Sequence, residues 1–125
     1  FAQTRIEVLS DDERLIEALL EAQGLVNATP VGMHVHPGMP LSESALSAGV
    51  LREGLWVADV IYLPQETQLV RAARAAGCEV LTGGYMAAGQ AVDAFRLFTG
   101  LEPNAERMAA HFEALIAAQQ GVTNA

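Results

Sequence analysis

Gly83-Gly84-Tyr85-Met86-Ala87-Ala88-Gly89-Gln90-Ala91-Val92-Asp93-Ala94-Phe95-Arg96-Leu97-Phe98-Thr99-Gly100 opens on a glycine pair, closes on a glycine and holds only three strongly polar residues, Gln90, Asp93 and Arg96. The pattern predicts one helix, entered from a tight turn and stopped by Gly100. A helix apolar on nearly every side is expected to be buried on nearly every side. Gln90 lies one turn after Met86 and one turn before Ala94, on a shared face where its amide needs partners that an apolar wall does not supply. The residues alone leave two readings: a core glutamine bonded to a neighbouring loop, or a glutamine kept for a ligand.

Upstream of this helix the chain alternates. Glu79-Val80-Leu81 reads as a strand, residues 65–76 as a helix ending at Gly77, and Trp56-Val57-Ala58-Asp59-Val60-Ile61-Tyr62 as a strand stopped by Pro64. Residues 46–51 suggest a short helix, and Leu25-Val26 begins an apolar run ended by Asn27-Ala28-Thr29-Pro30. Before that, Leu15, Ile16, Leu19 and Leu20 recur at helical spacing over a wet back of Glu13, Arg14, Glu17 and Glu21, with Ser10 or Asp11 as cap and Gly24 as stop. Arg5-Ile6-Glu7-Val8-Leu9 alternates like a short strand. Downstream, Pro103 leads into a last helix over residues 104–119, and the tail from Gly121 is expected to fray. Strand and helix taking turns predict an α/β protein with a parallel sheet and right-handed crossovers. Neither an internal repeat nor a low-complexity linker divides the chain.

With 125 residues the chain is one domain at most, and any site it carries is expected to be partial. A formal charge of −8, with scattered arginines, repels phosphate backbones and argues against a nucleic-acid partner. No window approaches eighteen uninterrupted apolar residues, so a membrane span is not indicated. The one cysteine, Cys78, excludes an internal disulfide and suits a reducing cytoplasm. A start at Phe1, without initiator Met or signal peptide, reads as a piece of something longer.

In open α/β sheets ligands sit at the carboxyl ends of the strands. Residues 27–33, 62–67 and 82–86 hold those positions. By composition the first is a turn, and Tyr62 is an amphipathic residue at the core edge. His34-Val35-His36 could share an ion, but no third ligand lies nearby and the spacing fits no strong zinc pattern, which leaves a solvated loop. There is neither a nucleophile elbow nor a Gly-rich phosphate loop before a helix.

Three strings together, Asn27-Ala28-Thr29-Pro30-Val31-Gly32-Met33, Asp59-Val60-Ile61-Tyr62-Leu63-Pro64-Gln65-Glu66-Thr67, and Gly83, Met86, Gln90-Ala91, Phe95, Thr99-Gly100, resemble in order and spacing the motifs of the shikimate dehydrogenase family, which includes the quinate/shikimate dehydrogenases. The resemblance runs from about Ile6 to Ile116. It implies the later portion of a Rossmann-like parallel-sheet domain plus C-terminal helices, with residues 1–125 forming part of a C-terminal nicotinamide-cofactor-binding domain. It further implies that Tyr62 and Gln90 bond the substrate, and that Asn27, Thr29, Pro30, Val60, Leu63, Gly83 and Met86 line the cofactor, NADP or NAD. The implied reaction interconverts shikimate and 3-dehydroshikimate, or quinate and 3-dehydroquinate. Leu63 stands where the family often has asparagine and Gln68 where proline often follows the threonine, while Tyr85 replaces a common glycine and hints at a quinate/shikimate or otherwise divergent branch.

The chain contains no lysine, so the family's catalytic lysine is not in it, nor is the Gly-rich turn that would hold the pyrophosphate. The chain alone is therefore expected to be inactive, needing the N-terminal part of the same protein or another chain, and to leave a short sheet with an open edge. A cyclic polyol acid is the implied small-molecule partner. The alternative is a non-catalytic sensor or binding module on the same scaffold.

Overall fold

The computed structural model describes residues 4–123. Three strands, β1 (Gly24–Asn27), β2 (Trp56–Asp59) and β3 (Glu79–Leu81), form one parallel sheet in the order β1-β2-β3. Helix α1 (Asp12–Glu21) precedes β1, α2 (Glu43–Ser47) and a long loop link β1 to β2, and α3 (Gln68–Ala75) links β2 to β3. Helices α4 (Gly83–Thr99) and α5 (Ala105–Thr123) follow and pack on each other. This is the expected α/β architecture, with helical crossovers between parallel strands.

The core lies between the sheet and the first three helices: Leu19, Ala45, Leu55, Val57, Leu69 and Ala73 are buried together. Each helix there starts on a side-chain cap. Asp11, Ser42 and Thr67 accept from the backbone N–H of Arg14, Ala45 and Val70. The Ser42 hydroxyl also donates to Asp12, tying α2 to α1.

Several boundaries differ from the sequence reading, each for a visible reason. Residues 5–9 form no strand: no described strand pairs its backbone with them, and Ile6 and Val8 stand in solvent. Helix α1 ends before Gly24, because the Arg52 guanidinium donates to the carbonyls of Leu19 and Ala22 at 3.0 and 2.7 Å and satisfies the helix end that a glycine was expected to close. Gly24 instead starts β1 under the Trp56 indole, where a Cβ would fall 1.9 Å from the ring. Strand β2 stops at Asp59 rather than Tyr62, since the Asp59 carboxylate accepts from Ile61 N–H at 3.1 Å and turns the chain. The cap at Thr67 starts α3 three residues later than expected, and Ser42 starts α2 earlier.

Helix α4 has the expected bounds, and Gly100 follows in the left-handed region at φ 68°. Its burial is not as expected. Only Gly83 and Gly84 are buried, whereas Leu97 and Phe98 are 83% and 89% exposed, because α5 covers one side of the helix and no described residue covers the other. Helix α5 continues through Thr123, past the point where fraying was expected; Asn124 and Ala125, like Phe1, lie outside the described residues. No described helix is long and apolar enough to cross a membrane.

Candidate functional site at the carboxyl ends of the strands

The parallel register sets Asn27 beside Asp59 at the ends of β1 and β2. Both are buried, 4% and 2% exposed, with Thr67 beside them at 2%. Asn27 Nδ2 donates to Asp59 Oδ1 at 3.2 Å and to the Val31 carbonyl at 3.1 Å. Its Oδ1 accepts from the backbone N–H and the hydroxyl of Thr29, at 3.2 and 2.7 Å. The other Asp59 oxygen accepts from the Thr67 hydroxyl at 2.7 Å. One further bond, Val60 N–H to the Asn27 carbonyl at 3.1 Å, joins the first two loops. Every buried polar side-chain atom among the described residues has a partner.

The third loop is joined by backbone. A Cβ on Gly83 would lie 2.4 Å from the Val60 carbonyl oxygen and 2.5 Å from that of Ile61, so the start of α4 fits against the turn after β2 only as glycine. The structure thus brings together Asn27, Thr29, Val60 and Gly83. Pro30 is exposed on the first loop, and Leu63, half-buried, follows on the second, where the Leu63–Pro64 peptide is cis. Tyr62 is half-exposed, its ring 6.0 Å from that of Phe112 on α5.

Met86 and Gln90 lie one turn apart on α4, both exposed. The Gln90 amide has no hydrogen bond to any described residue, so the core-glutamine reading fails and its polar group faces outward. Gly84, Ala88 and Phe95 face α5, and Met86, Gln90 and Leu97 occupy the other side of the helix.

A hollow of about 170 Å³ separates the first two loops, lined by Gly32, Met33, Pro64 and Thr67 among others. A larger one of about 700 Å³ lies between residues 5–9 and α1, away from the three loops. His34 and His36 are exposed in a turn where Gly32 N–H donates to the His36 carbonyl at 2.8 Å. No group of three metal-ligating side chains forms among the described residues. At the far end of α4, hydrogen bonding and charge from Arg96 lower the Glu102 carboxyl below its usual range and raise the guanidinium in turn.

Asp59 and Thr67 had no role in the sequence reading beyond their places in a motif. A signal existed: an acid at a strand end, followed eight residues later by a helix-capping threonine.

No family model matches the chain. Curated relatives do. A shikimate dehydrogenase (NADP(+)) of an Arthrobacter species is 60% identical over 99 residues, covering 79% of this chain and 32% of that protein. A quinate/shikimate dehydrogenase (NAD(+)) of Corynebacterium efficiens is 56% identical over 79% of this chain and 33% of its own length. Among solved structures, quinate dehydrogenase from Corynebacterium glutamicum in complex with NAD matches at TM-score 0.73 and 50% identity, over 84% of this chain and 36% of that one. The chain thus spans about a third of the length of the relatives it matches. Their names are those of enzymes, and nothing among them supports a non-catalytic module. In sequence and in fold, this chain is similar to the shikimate and quinate/shikimate dehydrogenases over about a third of their length.

Proposed function

We propose that these residues form the nicotinamide side of the active site of an NAD(P)-dependent shikimate or quinate/shikimate dehydrogenase, as the later, C-terminal portion of the complete protein. The observation that carries the reading is the joining of three strand-end loops at one sheet edge in a chain 60% identical to a shikimate dehydrogenase. In an open α/β sheet this is where a dinucleotide's reactive end lies.

The residues fit the nicotinamide. Gly83 has no side chain in the way, the Met86 thioether is exposed to pack on a flat ring, and Val60 and Leu63 offer backbone and apolar surface. They do not fit the pyrophosphate, since the chain has no Gly-rich loop before a helix. Within this reading Asn27, Thr29 and Pro30 wall the same pocket. Tyr62 and Gln90 bond the hydroxyl and carboxylate groups of a cyclic polyol acid, the exposed Gln90 amide exchanging solvent for ligand. A nicotinamide held there would supply the hydride acceptor for oxidation of a ring hydroxyl to a ketone. The family's lysine, which would take the hydroxyl's proton, is not among these residues and would come from elsewhere in the complete protein. The exposed side of α4 then faces the part of the protein that supplies it.

The test is shikimate- and quinate-dependent reduction of NAD and NADP by the complete gene product, beside the 125-residue chain alone. Turnover is expected from the first and none from the second. Gln90→Ala should weaken substrate use about tenfold or more, the worth of one strong hydrogen bond. Activity from the isolated chain, or an unaffected Gln90→Ala, overturns this assignment.

A further inference from the structure

We propose that Asp59 is a positioning residue whose carboxylate latches the first two loops at the carboxyl ends of the strands and, through the Val60–Ile61 peptide, sets the wall against which the third loop packs; this rests on the dehydrogenase reading above. Asp59 is 2% exposed, and no cation among the described residues pairs with it. A buried carboxylate without a counter-ion is costly and persists only where donors converge on it. Here three donors converge from the first two loops: the Asn27 amide of one, and the Ile61 backbone N–H and Thr67 hydroxyl of the other, at 3.2, 3.1 and 2.7 Å.

Each bond sets something beyond itself. Taking Nδ2 of Asn27 fixes which way that amide faces, so its Oδ1 turns to the Thr29 hydroxyl and N–H. Thr29 Oγ in turn accepts from Val31 N–H at 3.2 Å, which shapes the first loop. Ile61 N–H belongs to the same rigid peptide as the Val60 carbonyl. Holding one end of that plane aims the other at Gly83, where there is room for it only because no Cβ is present. One carboxylate therefore orients the Asn27 and Val60 loops together and sets the wall for Gly83. An isosteric amide is a poorer latch: its NH2 group fits only toward the Thr67 hydroxyl, which must then accept instead of donating, and the charge that draws the donors together is lost.

The test compares Asp59→Asn, Thr67→Val and Thr67→Ser in the complete gene product, with the thermal midpoint as a folding control. Displaced loops should lower kcat/KM for the cofactor by about a hundredfold in Asp59→Asn. The KM for the cyclic acid should change little. Thr67→Val, which removes one donor together with the side-chain cap of α3 and leaves the charge, should show a smaller loss in the same parameter, and Thr67→Ser, which restores both bonds, should match the parent. A folded Asp59→Asn with unaltered cofactor kinetics overturns the proposal; if that variant does not fold, Thr67→Val with parental kinetics does so. A complete protein without dehydrogenase activity refutes the functional reading instead. The latch is then decided by hydrogen exchange at Ile61 N–H: loss of protection in Asp59→Asn supports it, and unchanged protection overturns it.

Discussion

The sheet with its first three helices and the α4–α5 pair are built from similarly apolar sequence, yet they dispose of it differently. Around β2 the apolar side chains are enclosed, with Leu55, Val57, Leu69, Val70 and Ala73 all at 0% exposure, and the buried polar groups are fully bonded. Along α4, apolar residues of equal size stand in solvent, including Leu97 and Phe98, with Leu101 just beyond the helix. The first region completes itself. The second leaves large apolar side chains of neighbouring positions uncovered by any described residue. Gly83 is the joint between them, fitted against the Val60 and Ile61 carbonyls.

The contrast predicts the largest difference for a paired truncation. Leu69→Ala removes a fully buried side chain and should cost about 2–5 kcal/mol, while Leu97→Ala should stay within about 0.5 kcal/mol when the chain is unfolded in urea. Equal losses would mean that α4 is covered in solution. Next, Gly83→Ala pushes a methyl into two backbone carbonyls and should cost about 1–3 kcal/mol. Gly24→Ala should cost less despite a nominally closer contact, because the atoms it meets belong to the Trp56 ring, 41% exposed and able to swing aside. The order of the two thermal midpoints checks this.

A third expectation concerns association. If the outer face of α4 is unpartnered in the isolated chain, its apparent mass in sedimentation should rise with concentration, and Leu97→Ser with Phe98→Ser should suppress that rise without lowering the thermal midpoint. The smallest effect belongs to the exposed Arg96–Glu102 pair beyond the end of α4. Because Glu102 titrates below its usual range, the pair's contribution is complete above that range and is lost as pH falls through the lowered value. Glu102→Gln should flatten this acid limb slightly, and added salt should erase the difference, since both groups are exposed.

Much of the fold was legible in the sequence. Local signals sufficed for α4 with its Gly100 stop, for the three strands and for a cap at Ser10 or Asp11, of which the structure uses Asp11; the cap at Asn104, accepting from Arg107 N–H at 2.9 Å, was not read. The motif strings named the loops that the structure joins. What was misread depended on distant partners. Gly24 looked like a helix stop because Arg52, the actual partner of those carbonyls, lies far along the chain. Residues 5–9 have a strand's alternation, but alternation without a neighbouring edge makes no ladder.

By itself, then, the sequence determined the kinds of element, their order, the three candidate loops and the family they resemble, since periodicity, caps and glycine stops act over one or two turns of chain. Only the tertiary structure decided that Asp59 stands at the centre of those loops, that Gly83 is required by backbone rather than by a turn, and that α4 is bare on one side. The reason is physical. A parallel register brings residues 27 and 59 together across a crossover, and burial depends on what lies opposite a side chain, which no local pattern encodes.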